Sequence, residues 1–297
     1  MHCHVGRSRQ HRATVRQARI VLILLVAMVG IVRAQGQPRE DPGTPDVRSG
    51  GGSTRELSAD RPDRTDCPFT VEPGHYQIEM DIVNFTFDAP GAGDTRTRVF
   101  QIMPLNVKFG LLRNVDLQLV VMPWTRVRTT GAGPGPDAIM EGFGDIIPRI
   151  KVNLAGNDIG FFALALLPFV KLPTGSGPPG NSSIESGVGV PFSFDVPDWD
   201  VGFQTTYLIA RNGGDDGYHS EITNSVSVGH GVVGPLSIAA EFFASVSTET
   251  GSLWEGTTDC WLTYQVNSNL RLDAGVYIGV TEVTDDLHPW LGFTWRW

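Results

Sequence analysis

Cysteine is scarce in this chain: three in 297 residues, too few for a disulfide scaffold. Cys67 and Cys260 could pair with each other, while Cys3, flanked by His2 and His4, lies in a stretch that reads as a removable leader. Long apolar runs are lacking as well. Beyond the leader the longest, Ile159 to Val170, contains Gly160 and Pro168 and falls short of the roughly 20 residues a membrane helix needs. Positive charge is thin, with 23 Lys and Arg against 32 Asp and Glu and a formal net charge of −9. That balance argues against nucleic acid as a partner. Catalytic signatures are missing too: there is no Cys-x-x-Cys, no His-Glu-x-x-His and no Gly-x-Ser-x-Gly. Gly131 to Pro136 and Gly175 to Gly180 lack the Lys-Ser/Thr of a phosphate loop and read as loop glycines. No catalytic residue, cofactor or metal site is expected.

What is present begins with residues 1–34. Arg7, Arg9, Arg12, Arg16 and Arg19 precede an apolar run from Ile20 to Val32, and Val32-Arg33-Ala34 offers small residues for cleavage, so this stretch reads as a signal peptide. It carries six Arg and no acid, which takes the mature chain from −9 to −15. Residues 35–56 are rich in Gly, Pro, Arg and Asp and read as a flexible linker. Residues 57–71 form a dense charged segment, and 72–297 alternate apolar and polar residues with period two.

Twelve strands are expected, near 72–88, 96–110, 114–128, 141–154, 159–172, 184–195, 199–211, 218–230, 234–248, 255–266, 270–281 and 287–297. In the last, Leu291, Phe293, Trp295 and Trp297 share one parity and Trp290, Gly292, Thr294 and Arg296 the other. Short connections (Leu111 to Arg113, Ala155 to Asp158, Val196 to Asp198, Gly231 to Gly234, Asn267 to Asn269) alternate with mostly longer, Gly-, Pro- or acid-rich ones. Even strand number, alternating connection length and an aromatic terminal strand together predict an all-β fold: a transmembrane up-and-down antiparallel β-barrel of about 12 strands. Its termini and tight turns would face the periplasm. Because backbone groups in hydrocarbon must all be paired, the last strand should close on the first. The first strand changes parity near Val83, which reads as a β-bulge.

In such a barrel Asp116, Asp145, Arg149, Lys151, Glu241, Asp259, Arg271 and Asp273 must face the lumen, as structural cross-links or as selectivity residues. Asp60, Arg61, Asp63 and Arg64 are candidates for a periplasmic plug, with Arg61 or Arg64 meeting wall carboxylates. Phe293, Trp295 and Trp297 form the candidate assembly signal. Tyr218-His219-Ser220 is weighed as the His and Ser of a barrel phospholipase, but the local sequence does not match the His-x-Ser pattern of such enzymes; His219 with Glu221 is weighed as a metal pair, and a hydrated rim pair fits better.

Asp60-Arg-Pro-Asp63, Pro73-Gly74 and Glu79, then Gly142 to Lys151, Leu167 to Gly175 and Gly187 to Pro191, resemble the outer-membrane transporter family known as MetA-pathway of phenol degradation. The resemblance implies a channel for small molecules, including aromatic or hydrophobic compounds, in the bacterial outer membrane. Its expected partners are outer-membrane lipid, the barrel-assembly machinery and a small-molecule solute. A barrel esterase or phospholipase and a structural barrel are the alternatives.

Overall fold

The computed structural model describes residues 55–87, 96–102, 104–130, 137–158, 160–176, 180–214 and 217–297. The expected signal peptide and all of the expected linker except Arg55 and Glu56 lie outside the described residues. Fifteen antiparallel segments form one sheet: β1 (Tyr76–Phe87), β2 (Arg96–Ile102), β3 (Leu105–Leu112), β4 (Val115–Val121), β5 (Trp124–Thr130), β6 (Ala138–Gly142), β7 (Ile147–Ala155), β8 (Phe162–Lys171), β9 (Glu185–Val196), β10 (Trp199–Arg211), β11 (Tyr218–Val233), β12 (Leu236–Ser247), β13 (Glu255–Asn267), β14 (Leu270–Gly279) and β15 (Leu287–Arg296).

The sheet closes on itself. β15 pairs with β1 from Arg296 opposite Gln77 to Leu287 opposite Phe87. Tyr76 and Trp297 exchange both backbone hydrogen bonds, at 3.1 and 3.0 Å. Closure leaves no edge strand between β1 and β15, as a sheet in hydrocarbon requires.

Around the wall there are twelve spanning strands, because three of them are each interrupted once. β2 and β3 part at Pro104, β4 and β5 at Pro123, and β6 and β7 at Gly144. A proline cannot donate to the ladder, so the first two breaks follow from composition. The irregularities sit side by side. Pro104 O accepts from Asp81 N at 3.0 Å and Met122 O from Gly144 N at 2.9 Å. In the same row the register of β1 slips between Asp81 and Val83, the position where its apolar parity changes. The charged segment runs on to Pro73-Gly74, so β1 begins at Tyr76 and not at residue 72.

The burial pattern is that of a soluble domain turned inside out. Gln77, Lys108, Asp116, Lys151 and Thr294 are among the most buried side chains, while Ile82, Phe85, Leu117, Ile150, Leu272, Leu291 and Trp295 are exposed. Period-two alternation produces this directly, since each strand gives one face to the lumen and one to lipid. At the end of the barrel that carries the tight turns, Tyr76 stacks on Trp297 at 5.6 Å and lies 4.8 Å from Phe109. Toward the other end Phe85 stacks on Phe100 at 4.7 Å, with Trp124 edge-on to Phe100. These rings form two aromatic girdles, the interfacial arrangement expected of a barrel in a bilayer.

Candidate functional site in the barrel lumen

Residues 57–71 lie inside the barrel. The path in is fixed by Arg55, whose guanidinium reaches Arg113 O at 2.8 Å and Asp158 at 2.6 Å while its N–H donates to Glu72. The anchored chain therefore begins one or two residues before the expected end of the linker. The path out crosses Gly110: a Cβ there would lie 1.8 Å from the Glu72 carbonyl oxygen, so only glycine lets the segment pass that close to the wall. Leu57, Ala59, Thr65, Thr70 and Val71 are buried between these points.

Two ionic anchors hold the segment. The first centres on Asp60, which receives Lys108 at 2.6 Å, Arg149 at 3.4 Å and Lys151 in a closer contact. Lys108 also pairs with Glu79, and Glu79 in turn accepts the Asp60 backbone N–H at 3.1 Å. Burial alone would raise the Asp60 carboxyl, but the three cations outweigh it and hold the group well below the ordinary range.

The second anchor centres on Arg61. Its Nη2 lies 2.6 Å from both Asp81 and Asp273. In the wall, Asp81 is opposite Gly292 and Gly292 is opposite Asp273, so the guanidinium lies over the glycine between two carboxylates. Arg271 reaches back to the Arg61 carbonyl at 2.7 Å, and the Tyr277 hydroxyl donates to the Pro62 carbonyl.

The rest of the segment is held mainly through its backbone. Glu241 accepts Arg64 N–H at 2.8 Å, Asn153 donates to Pro68 O at 2.8 Å, and Asp116 accepts Val71 N–H at 2.9 Å. Gln204 exchanges two bonds with Asp66, at 2.6 and 3.0 Å. Such pairing removes the cost of burying these polar groups. Burial, and then the neighbouring Glu241 charge, push the Asp63 carboxyl well above its usual range. Burial likewise pushes the Cys67 thiol up to about 12. That thiol is a weak nucleophile, and Cys67 and Cys260 are both free.

Of the eight lumen candidates, Asp116, Arg149, Lys151, Glu241, Arg271 and Asp273 contact the segment. Asp259 lies opposite Glu241 in the wall. Asp145 is held apart, accepting Gly175 N–H at 2.9 Å and facing Lys171 at 3.6 Å. Of the segment candidates, Arg61 lies between the wall carboxylates of Asp81 and Asp273. The Arg64 guanidinium instead lies over the rings of Phe243 at 4.5 Å and Tyr277 at 5.2 Å, while its backbone N–H donates to Glu241.

Lys108, Glu79, Asp81, Gln204 and Tyr277 were not among the expected site residues. Parity identifies the first, since Lys108 alternates with Val107 and Phe109 in a strand whose neighbours point to lipid. Trp295 and Trp297 are exposed on the outer face, and Phe293 shares their parity. His219 bonds Asn212 at 2.9 Å while the Ser220 hydroxyl bonds Tyr207 at 2.7 Å. The two point to opposite faces of β11 and share no proton path. Glu221 accepts the Ser245 hydroxyl.

Comparison with known proteins places this geometry. A family profile described as "Putative MetA-pathway of phenol degradation" matches residues 59–297. No curated protein sequence matches the chain. Among solved structures the chain is similar to an outer membrane channel from Pseudomonas putida F1, with a TM-score of 0.54 and 10% identity over 75% of this chain and 94% of that one. The NanC porin aligns with a TM-score of 0.46 and 10% identity, over 72% of this chain and 98% of that one. The translocator domain of the autotransporter NalP from Neisseria meningitidis aligns at 0.47 and 10%, over 75% and 88%. At such identity the similarity to the channel speaks for the fold.

Proposed function

The chain belongs to the MetA-pathway of phenol degradation family of outer-membrane β-barrels, and from that premise we propose that it is a small-molecule channel whose lumen is gated by its own residues 57–71. The observation that carries the proposal is the double ionic anchor. Asp60 and Arg61 are adjacent, carry opposite charge, and are each met by two or more complementary wall groups.

A segment needed only to stabilise the barrel could be apolar, since buried ion networks add little net stability over well-packed hydrophobic groups. A charged segment in a charged lumen can instead be solvated when it leaves, which keeps the displaced state within reach. The mature charge of −15 and the family resemblance favour neutral or cationic solutes, aromatic compounds included, over polyanions. The long connections would lie outside the cell and the segment would enter from the periplasm. Catalysis forms no part of this reading: His219 and Ser220 diverge, and the Cys67 thiol, though 3.2 Å from Asp60, is kept protonated by burial.

Liposome swelling with sugars, amino acids and aromatic acids tests the proposal. Arg61→Ala should admit larger solutes than the wild type while leaving the barrel assembled. Equal swelling rates for both proteins across the whole panel would remove the gating role.

A further inference from the structure

The lumen holds a second cluster, which the segment engages through its backbone at Glu241 and Tyr277 and through Asp63 at Ser227. Ser227, Glu241, Asp259, Tyr277 and His288 lie directly opposite one another on five successive strands, β11 to β15, forming one rung across the wall. Two like charges at the centre of a rung repel and call for a counter-charge. Glu241 Oε1 and both Asp259 oxygens are buried and have no hydrogen-bond partner among the described residues, and the two residues are 3% and 2% exposed. Asp63 of the segment faces the same rung through Ser227.

Above this acidic floor sits a half-cage of rings. Phe243 is one inward-facing position further along β12 than Glu241, Tyr277 lies tilted against Trp290 with ring centroids 4.3 Å apart, and His288 is edge-on to Tyr277. The Arg64 guanidinium occupies the cage, over Phe243 and Tyr277, and its charge acts on both Glu241 and Asp259. Unlike Arg61, the Arg64 side chain is exposed and is not tied to a carboxylate at ion-pair distance among the described residues. Arg271, the other cation nearby, is committed to the Arg61 carbonyl. The cage therefore contains a cation that is held by rings and long-range charge only, and that can swing out into the lumen.

We propose that Phe243, Tyr277, Glu241 and Asp259 form a binding site for an organic cation, an ammonium or guanidinium group on a body of roughly aromatic size, and that Arg64 is the internal occupant such a solute displaces. Carboxylates beneath aromatic faces are the chemistry that recognises alkylammonium groups. The inference deepens the channel reading, naming the solute class, and rests on it.

Tryptophan fluorescence of the purified full chain in detergent, with Trp290 as the reporter beside Tyr277, provides the test. The probes are 2-phenylethylammonium, 2-phenylethanol and phenylacetate, which share a ring and differ in charge. The cation should bind most tightly. Arg64→Ala, which empties the cage without touching the floor, should tighten the cation by about tenfold, the effect of removing one competing charge from the cage, and leave the other two unchanged. Glu241→Gln should weaken the cation by a similar factor. Because Glu241 also holds the segment's backbone, Asp259→Asn is the companion variant and should weaken it as well. No tightening on Arg64→Ala, or equal changes for all three probes, overturns the site. Binding is measured without conduction, so a protein that conducts but fails to discriminate the probes keeps the channel reading and loses this one. A protein that binds the cation yet conducts nothing does the reverse.

Discussion

Arg61 packs against Gly292 so closely that a Cβ on the glycine would lie 2.3 Å from the guanidinium Nη2. The relationship joins a residue of the lumen segment to the closing strand of the barrel, and it explains why that strand carries a glycine between inward-facing Trp290 and Thr294. Gly292→Ala should therefore expel the guanidinium from between Asp81 and Asp273. The expected outcome is higher single-channel conductance with unchanged heat-modifiable mobility, because the strand itself accepts alanine.

Removing Arg61 by Arg61→Ala leaves Asp273 buried beside Asp81 without its cation. Breaking a buried pair of this kind costs about 3 to 5 kcal/mol, and here the loss should appear as detachment of the segment and not as unfolding of the wall. Protease cleavage of the assembled protein within residues 57–71 should accelerate strongly in the variant. Asp273→Asn combined with Arg61→Ala should cost less than the two singles together, as coupled partners do.

Docking should also depend on pH. The Asp60 carboxyl is held far below its ordinary range inside the lumen, whereas a released segment would titrate near about 3.9. A depressed carboxyl contributes its full stabilisation above the released value and loses it as pH falls toward the docked value. Protease access to residues 57–71 should thus be low near neutrality and rise below about pH 4. Asp60→Asn should dock more weakly at pH 7 and show a flatter acid limb. A wild-type profile that stays flat down to pH 2 would count against the Asp60 anchor.

Orientation follows from the connections. Epitope tags inserted after Pro134 should be stained on intact cells, and tags at Gly234, an exposed turn glycine with φ of 52°, should not. Gly234 is a better control than the turn at Asn157, whose side chain bonds Thr70. The reverse staining pattern would invert the barrel.

Much of this architecture is legible in the sequence because a barrel writes its geometry as parity. The apolar side chains of Leu291 and Trp295 against the polar or small Gly292 and Thr294 state which face meets lipid, and the parity slip at Val83 states where β1 bulges. The interruptions at Pro104 and Pro123 can be read in retrospect, since proline breaks a ladder, but nothing local says that the strand resumes in the same direction.

The site is less legible in the sequence than the fold. Charges on the inner parity can be identified one by one, yet which of them meet depends on the stagger of the strands, which single-strand patterns do not encode. Asp81 and Asp273 are far apart in the sequence and come together only through β15. Arg64 shows the same limit. Its charge suggests a carboxylate partner, but only its backbone N–H reaches Glu241, and the side chain lies over the rings of Phe243 and Tyr277.

Whether residues 57–71 fill the lumen and limit passage is decided by single-channel conductance in planar bilayers of the full chain and of a chain lacking residues 35–71. The shortened protein should assemble and conduct several times more current per channel. The same conductance in both proteins, with both equally folded, would show that residues 57–71 do not limit passage.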